Sequence, residues 1–378
     1  MPEVGTLSRS LRQSGIREIV HLAVKVPDAI RLEIGQPHFD TPPHIIEAAA
    51  QAARDGYTRY TVNAGIPSLR EVVAETTNLR YGTDFTPDNV QVAVGAVGAI
   101  STAIRALVDP GDDVLLPDPG WPNYDMIVRC AAACPRTYTL DARTGFLPDP
   151  AAIARLIGPR TRVVIINAPS NPLGTVFPPE LTERLVAMAH DHGVYLIADE
   201  VYERFVFDGR HVSAACFDTA GLVVAVSGVS KTYAMTGWRL GWALASQEVI
   251  QQMAKLQEAY VSCAPSVSQK AAEAALRGPQ DCVAEMHRCY AENLRVACAA
   301  LDRAGFDYVK PQGAFYVWVR VGAQDSYAYA RRLLQERKVA VAPGRTFGAA
   351  GEGFVRLSLA APAESIREGI ERMAGFTG

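Results

Sequence analysis

The chain has 378 residues, of which 49% are hydrophobic and 20% are charged, and its formal net charge is −3. This length is enough for two domains with ample cores, while the small net charge and the lack of long single-sign blocks exclude a basic surface for nucleic acid. No apolar run approaches the roughly 18 residues that span a bilayer and the N-terminus has no apolar signal segment, so we expect small-molecule partners, no membrane and a cytoplasmic location.

The N-terminal part of the chain predicts an arm followed by short elements. Residues 1–26 are polar, with apolar residues at helical spacing, which is typical of an arm that docks on another surface. A strand-like run at residues 31–34 ends at Gly35, and a capped helix then runs until Gly56. The next helix is predicted to begin near Pro67.

From residue 90 onward, strand-like and helical runs alternate. The strand-like runs cover residues 90–94, 113–116, 163–166 and 194–198, and helices are predicted from about Gly98 and Pro179. This alternation favours an α/β fold with a largely parallel, doubly wound sheet and helices on both faces. Ligands of such a sheet bind beyond the carboxyl ends of its strands.

A glycine-rich turn joins the first of these strands to its helix. It reads Gly95-Ala96-Val97-Gly98, and its free amides together with the helix dipole would form an anion site. Turns of this kind occur throughout α/β folds, so the turn alone is weak evidence for a phosphate site.

Two further strand ends carry reactive groups. Asp199 closes the apolar run VYLIAD, and the buried strand predicted at 222–226 leads to Ser230 and Lys231, with Arg239 eight residues later. A desolvated lysine amine is nucleophilic and forms Schiff bases with carbonyls, and an arginine grips phosphate. This trio suits an aldehyde that carries a phosphate, although an isolated Ser-Lys pair is usually a surface loop.

The C-terminal part predicts a second domain. After helices at 265–277 and 281–304, the runs AFYVWVRV, VAVAP and FVRLSLA and a helix at 327–336 indicate a smaller α+β domain. We therefore divide the chain into an N-terminal arm with part of the small domain (1–45), a large domain (46–285) and a small C-terminal domain (286–378). Strand alternation places Arg356 on the face of its strand that looks into a cleft.

The seven cysteines indicate neither a disulfide framework nor a metal site. They are odd in number and scattered from Cys130 to Cys298, without a CxxC motif or clustered histidines. We expect reduced thiols and no metal.

The stretch SKTYAMTGWRLG, which contains Lys231, resembles the cofactor-lysine signature of the fold type I pyridoxal-phosphate (PLP) enzymes, specifically the class I and II aminotransferases. Similar segments run in the family's order from IGQPHFDTP at Ile34 to FVRLSLA at Phe354. The resemblance implies an aminotransferase that binds PLP as a Schiff base on Lys231. It would move an amino group between an L-amino acid and a 2-oxo acid by a ping-pong mechanism.

The same resemblance implies the residues that hold the cofactor ring. The DExY segment supplies Asp199 for the pyridine nitrogen, where a carboxylate keeps that nitrogen protonated, and Tyr202 for the phenolate oxygen. Asn171, in NAPSNPLG, would contact the same oxygen. Trp121, in DPGWPNY, would stack on the ring.

Two anionic groups have implied receptors as well. Ser230, Arg239 and the amides of Ala96 and Val97 would bind the cofactor phosphate. Tyr60 would reach the same phosphate from the second subunit of a homodimer. Arg356, together with the Gly35 amide and Asn171, would bind the substrate α-carboxylate.

Two other functions stay open at this stage. One is another PLP-dependent reaction on the same fold, such as β-elimination or cyclisation of an amino acid. The other is a non-catalytic ligand sensor, against which the short arm and the lack of basic charge count.

The substrate side chain is weakly indicated. Val97 stands where aspartate-using relatives often carry lysine, which favours neutral or aromatic side chains slightly. Arg17, in the arm, would reach a substrate only if the arm docks near the site, and the sequence does not fix where it docks.

Overall fold

The structure, a computed structural model, describes residues 3–11 and 14–377. Residues 1, 2, 12 and 13 of the predicted arm and residue 378 of the predicted small domain lie outside this range. Within it, no helix is both long enough and apolar enough to cross a bilayer.

Thirteen strands lie in the described part of the chain. Their bounds are β1 (Ile30–Arg31), β2 (Val90–Ala93), β3 (Asp113–Asp118), β4 (Cys134–Thr139), β5 (Thr161–Asn167), β6 (Tyr195–Asp199), β7 (Val223–Gly228), β8 (Gly241–Leu244), β9 (Asp307–Val309), β10 (Tyr316–Arg320), β11 (Val339–Ala340), β12 (Ala342–Pro343) and β13 (Phe354–Ser358).

Fourteen α-helices are found over the same described residues. Their bounds are α1 (Thr6–Ser10), α2 (Gly15–Ala23), α3 (Pro43–Arg54), α4 (Pro67–Tyr81), α5 (Gly95–Leu107), α6 (Asn123–Cys130), α7 (Pro150–Ala154), α8 (Pro179–His192), α9 (Val229–Thr232), α10 (Gln247–Val261), α11 (Ser266–Arg277), α12 (Asp281–Ala304), α13 (Ser326–Arg337) and α14 (Ala363–Met373).

A seven-stranded sheet forms the framework of the large domain. Its strand order is β2-β8-β7-β6-β5-β3-β4, and only β8 runs antiparallel to its neighbours. Side chains of β3 alternate between two hydrophobic clusters, Leu115 facing the cluster of α8 and Val114 and Leu116 facing that of α5, α6 and α10. Helices therefore cover both faces, and the predicted doubly wound, largely parallel sheet is confirmed.

The C-terminal part adds two smaller sheets. Strands β12-β13-β10-β9 form an antiparallel sheet, and β1 pairs in parallel with β11, so the start and end of the chain meet in one core. Helix α12 runs without a break past residue 285. The predicted boundary at 285 therefore falls inside a continuous helix. The division of the chain at 45 and 285 stays a prediction.

Two element boundaries differ from those predicted. The strand predicted at 31–34 ends at Arg31, and the carbonyls of the next two residues bond away from β11: that of Leu32 accepts the Ser358 amide (2.8 Å) and that of Glu33 accepts Arg356 Nη2 (2.5 Å). Helix α5 begins at Gly95, three residues before the predicted start. The glycines that look like a connecting turn are thus the first turn of the helix itself.

Candidate active site

A cleft of about 570 Å³ opens at the carboxyl ends of β5, β6 and β7, between the seven-stranded sheet and the smaller sheets of the C-terminal part. It contains every site residue predicted from the sequence except Tyr60. These residues are Gly35, Ala96, Val97, Trp121, Asn171, Asp199, Tyr202, Ser230, Lys231, Arg239 and Arg356.

Lys231 enters this cleft from the short helix α9, which directly follows β7. Its Nζ donates a hydrogen bond to the carbonyl of Gly35 (2.7 Å). Burial lowers the pKa of Lys231 to about 8, and the charges of Arg356 and Arg239 act in the same direction, while Asp199 opposes them. A substantial fraction of the amine is therefore neutral and nucleophilic near physiological pH.

Asp199 is the last residue of β6 and only 5% of it is exposed. Its Oδ2 accepts a hydrogen bond from the Tyr124 hydroxyl (2.6 Å), and its Oδ1 accepts a longer one from the Val201 amide (3.4 Å). Burial raises the pKa of Asp199 to about 6, against the opposing effect of these hydrogen bonds and of Lys231. The carboxylate is thus mainly ionised at pH 7 and held in one orientation.

The turn after β5 is tied to Asp199 and to Arg356. Asn167 Nδ2 donates to the Asp199 carbonyl (2.8 Å), and Asn167 Oδ1 accepts the Asn171 amide (2.7 Å). Asn171 Oδ1 in turn accepts a hydrogen bond from Arg356 Nη1 (2.8 Å). The predicted ring contact and the predicted carboxylate receptor therefore belong to one hydrogen-bonded chain.

Arg356 is 1% exposed, so its guanidinium has lost nearly all of its hydration. Its Nη groups bond to Asn171 and to the Glu33 carbonyl, while among the described residues its Nε has no hydrogen-bond partner. Burial lowers the pKa of Arg356, although a guanidinium stays charged. A buried cation with an unused donor at a cleft can bind an anion of carboxylate shape.

The first turn of α5 carries free amide groups that can bind a second anion. The amides of Ala96 and Val97 lie in that turn, where helix geometry leaves N–H groups without intrahelical partners. Arg239 lies against the same turn, since a Cβ on Gly95 would come within 2.5 Å of Arg239 Nη2. The backbone of Arg239 is left-handed (φ +53°), a conformation that a non-glycine residue keeps only when its surroundings enforce it.

Tyr60 lies outside the cleft of its own chain and is 88% exposed. It belongs to an apolar patch that also contains Tyr57, Val62, Tyr260 and Val261, all exposed. The two segments of the patch are joined by hydrogen bonds, such as that from Ser266 Oγ to the Tyr57 carbonyl (2.7 Å).

Sequence reasoning missed several residues of the cleft. Tyr124, Asn167 and Tyr316 all line it and contact predicted site residues. Tyr124 and Asn167 belong to segments that contain predicted site residues, DPGWPNY and NAPSNPLG, whereas Tyr316 lies in AFYVWVRV, which was predicted only as a strand-like run of the small domain. The signal was present in the segments, but the contacts follow only from the packing.

Arg17 lines the cleft as well, because α2 docks beside it. The buried face of α2 contains Ile19, and Gly15 packs so closely that a Cβ there would come within 2.0 Å of the Tyr327 hydroxyl. Glu18 pairs with Arg331, on α13. No carboxylate of residues 3–11 or 14–377 lies within 4.0 Å of the Arg17 guanidinium.

Comparison with known proteins identifies similar chains over nearly the whole length. Residues 27–373 match the family model "Aminotransferase class I and II". The chain is 38% identical to an aspartate aminotransferase of Pyrococcus horikoshii over 96% of this chain and 94% of that one.

Solved structures are similar to the same extent. The aspartate aminotransferase of Thermus thermophilus with maleate superposes with a TM-score of 0.94, at 35% identity and 99% coverage of both chains. An aromatic aminotransferase of Pyrococcus horikoshii superposes with a TM-score of 0.89, at 36% identity, over 95% of this chain and 97% of that one.

Proposed function

The chain belongs to the class I and II aminotransferases, and from this premise we propose that it transfers the amino group of an L-amino acid to a 2-oxo acid with PLP held at Lys231. The observation that carries the proposal is the shared cleft, in which the Lys231 amine, the Asp199 carboxylate and two anion receptors meet. Nothing in the family or in the named relatives favours the lyase or cyclase alternative. A cytoplasmic location stays a prediction.

The residues of the cleft fit PLP in charge and shape. When bound, PLP supplies an aldehyde that condenses with amines and a ring that withdraws electrons. The α5 amides, Ser230 and Arg239 match its phosphate, and the half-buried indole of Trp121 offers a flat face. Gly95 supports this fit, because any larger residue would displace Arg239 from the α5 turn.

The protein groups then have separate tasks in the reaction. Asp199 would keep the pyridine nitrogen protonated, and Tyr202 and Asn171 would contact the ring oxygen. Arg356 orients the substrate through its α-carboxylate. Lys231 Nζ would be the base for the substrate α-proton, since its lowered pKa makes the neutral amine available at neutral pH.

A two-substrate assay tests this function directly. Purified protein, PLP, one amino acid and 2-oxoglutarate should yield a second oxo acid and glutamate in equal amounts. Release of ammonia without an acceptor would instead indicate a lyase. A protein that binds PLP but forms neither product would contradict the proposed activity.

Replacing Arg356 with Lys should impair substrate binding more than cofactor binding. Lysine keeps the charge but loses the planar fork, so we expect kcat/KM for amino donors to fall by about 100-fold, mainly through KM, with PLP retained. Steady-state kinetics and the visible absorbance of bound PLP measure the two effects. The matched control is Arg320→Lys, at an exposed site on β10. An equal loss of kcat/KM in that variant would contradict the role of Arg356 as the carboxylate receptor.

We further propose a homodimer in which the apolar patch of one subunit, with Tyr60, covers the cleft of the other. A cluster of exposed aromatic and aliphatic side chains is typical of a protein–protein interface. Light scattering should give twice the chain mass of 40.7 kDa.

Removing the Tyr60 hydroxyl in Tyr60→Phe should weaken PLP binding about fivefold, by the loss of one hydrogen bond to phosphate. Equilibrium dialysis measures the Kd for PLP. The neighbouring Tyr57→Phe serves as the control. Monomeric protein with full activity would contradict the dimer proposal.

Arg17 should influence which amino donors the enzyme prefers, acidic ones or neutral ones. Among the charged side chains that line the cleft, it is the one without a task assigned above. We expect Arg17→Met to lower kcat/KM for aspartate and glutamate by about fivefold, because an exposed cation contributes modestly, and to leave phenylalanine unchanged. Lys25→Met, on the same arm and outside the cleft lining, is the control. An equal loss for all three donors would show that Arg17 acts on the arm and not on the substrate.

A further inference from the structure

Tyr316 stands between the carboxylate receptor and the predicted ring contacts. It is the first residue of β10 and pairs with Ser358, two residues along β13 from Arg356, so that its side chain shares the Arg356 face of this sheet. It is 1% exposed, yet it lines the cleft. Its ring and its hydroxyl contact different partners.

The ring of Tyr316 lies under Arg356. The Cζ atom of Arg356 is 4.2 Å from the centroid of this ring and 5.0 Å from that of Phe347. A desolvated guanidinium is attracted to an aromatic face more strongly than an exposed one, because water no longer competes. The ring thus offsets part of the cost of burying Arg356 and packs directly against its guanidinium at the cleft.

The hydroxyl of Tyr316 contacts Tyr202 and packs against Gly35. The two tyrosine oxygens are 2.7 Å apart. A Cβ on Gly35 would come within 1.9 Å of the Tyr316 hydroxyl, so this phenol packs directly on the segment whose carbonyl accepts Lys231 Nζ. Tyr202 is 3% exposed, so removal of the Tyr316 oxygen would leave the buried Tyr202 hydroxyl without this partner.

We propose that Tyr316 is a positioning residue with two separable parts, its ring holding Arg356 for the substrate carboxylate and its hydroxyl holding Tyr202 for the cofactor. This inference rests on the proposed function. It adds that one side chain supports both binding events, each through a different part of the side chain.

Two substitutions separate the parts. Tyr316→Phe removes only the hydroxyl, so we expect PLP to be released about fivefold faster and kcat to fall by a similar factor, while the Kd for a substrate-like carboxylate stays within about twofold. Tyr316→Leu also removes the ring, and we expect that Kd to weaken by about tenfold in addition. Succinate and 3-phenylpropionate, which have no amine and cannot react, are the probes for calorimetry on the PLP-loaded protein.

Tyr329→Phe is the matched control. Tyr329 is equally buried, in the same hydrophobic cluster, and among the described residues its hydroxyl has no hydrogen-bond partner, so its loss should change none of these values. Thermal unfolding of all three variants reports any general loss of stability.

Two results would overturn the proposal. One is a Tyr316→Phe protein that matches Tyr329→Phe in PLP release and kcat. The other is a Tyr316→Leu protein that binds the carboxylate probe as tightly as Tyr316→Phe. Failure of the proposed function itself would be seen separately, as unmodified protein that does not retain PLP or transaminate.

Discussion

Replacement of Lys231 by Ala is expected to lower kcat by on the order of 10⁴-fold or more, because it removes both the nucleophile for the cofactor aldehyde and the base for the substrate α-proton. The variant should also lose covalent retention of PLP after borohydride reduction, which mass spectrometry of the intact chain measures. Lys255→Ala, an exposed lysine on α10, is the control and should behave as the unmodified protein.

The pH dependence of cofactor capture gives an independent check on Lys231. Its pKa is lowered to about 8, and the neutral amine is the reactive form, so the rate of PLP capture should rise with pH and level off above about 8. An ordinary lysine would continue to gain reactivity up to about pH 10.4. A capture rate still rising steeply at pH 10, or full turnover by Lys231→Ala, would refute the assignment.

Replacement of Asp199 by Asn is expected to lower kcat by about 10³-fold with only a modest change in protein stability. The amide keeps an oxygen that can accept the Tyr124 hydroxyl, but it removes the negative charge that would keep the pyridine nitrogen protonated. The loss should appear in kcat with every donor, since it affects the chemical step and not the recognition of a side chain.

A buried aspartate of the same sheet provides the control for Asp199. Asp113 is the first residue of β3, at the amino end of the strand and thus at the opposite end from the cleft, and it pairs with Arg136. Asp113→Asn should alter thermal stability and leave kcat within about twofold. Comparable kcat values for the two variants would mean that Asp199 has no electrostatic part in the reaction.

Much of the site was predictable because its chemistry is local in sequence. The stretch around Lys231 predicts a nucleophile, and the strand that ends at Asp199 predicts a carboxylate. Each prediction needs only one short segment. The alternation of strands and helices then places both at one edge of a parallel sheet. The fold class followed from this alternation and the aminotransferase activity from the resemblance of the segments to the family, and both are confirmed by the comparisons.

The contacts of Arg356 show where local reasoning ends. Strand alternation indicates its face, but its partners Asn171 and the Glu33 carbonyl lie 185 and 323 residues away. The end of β1 at Arg31 depends likewise on distant residues, because the carbonyls of Leu32 and Glu33 accept hydrogen bonds from Ser358 and Arg356. The docking of α2, which brings Arg17 to the cleft, depends likewise on packing against α13.

By itself, the sequence determined the order of the elements, the sheet they form and the reactive groups at its strand ends, because periodicity, turns and motifs are encoded within a few residues of one another. The tertiary structure alone decided which buried groups share a hydrogen bond, how far burial moves the pKa of Lys231 and Asp199, and which tyrosines support them. Desolvation and hydrogen-bond geometry depend on every neighbour in space, and those neighbours come from distant parts of the chain.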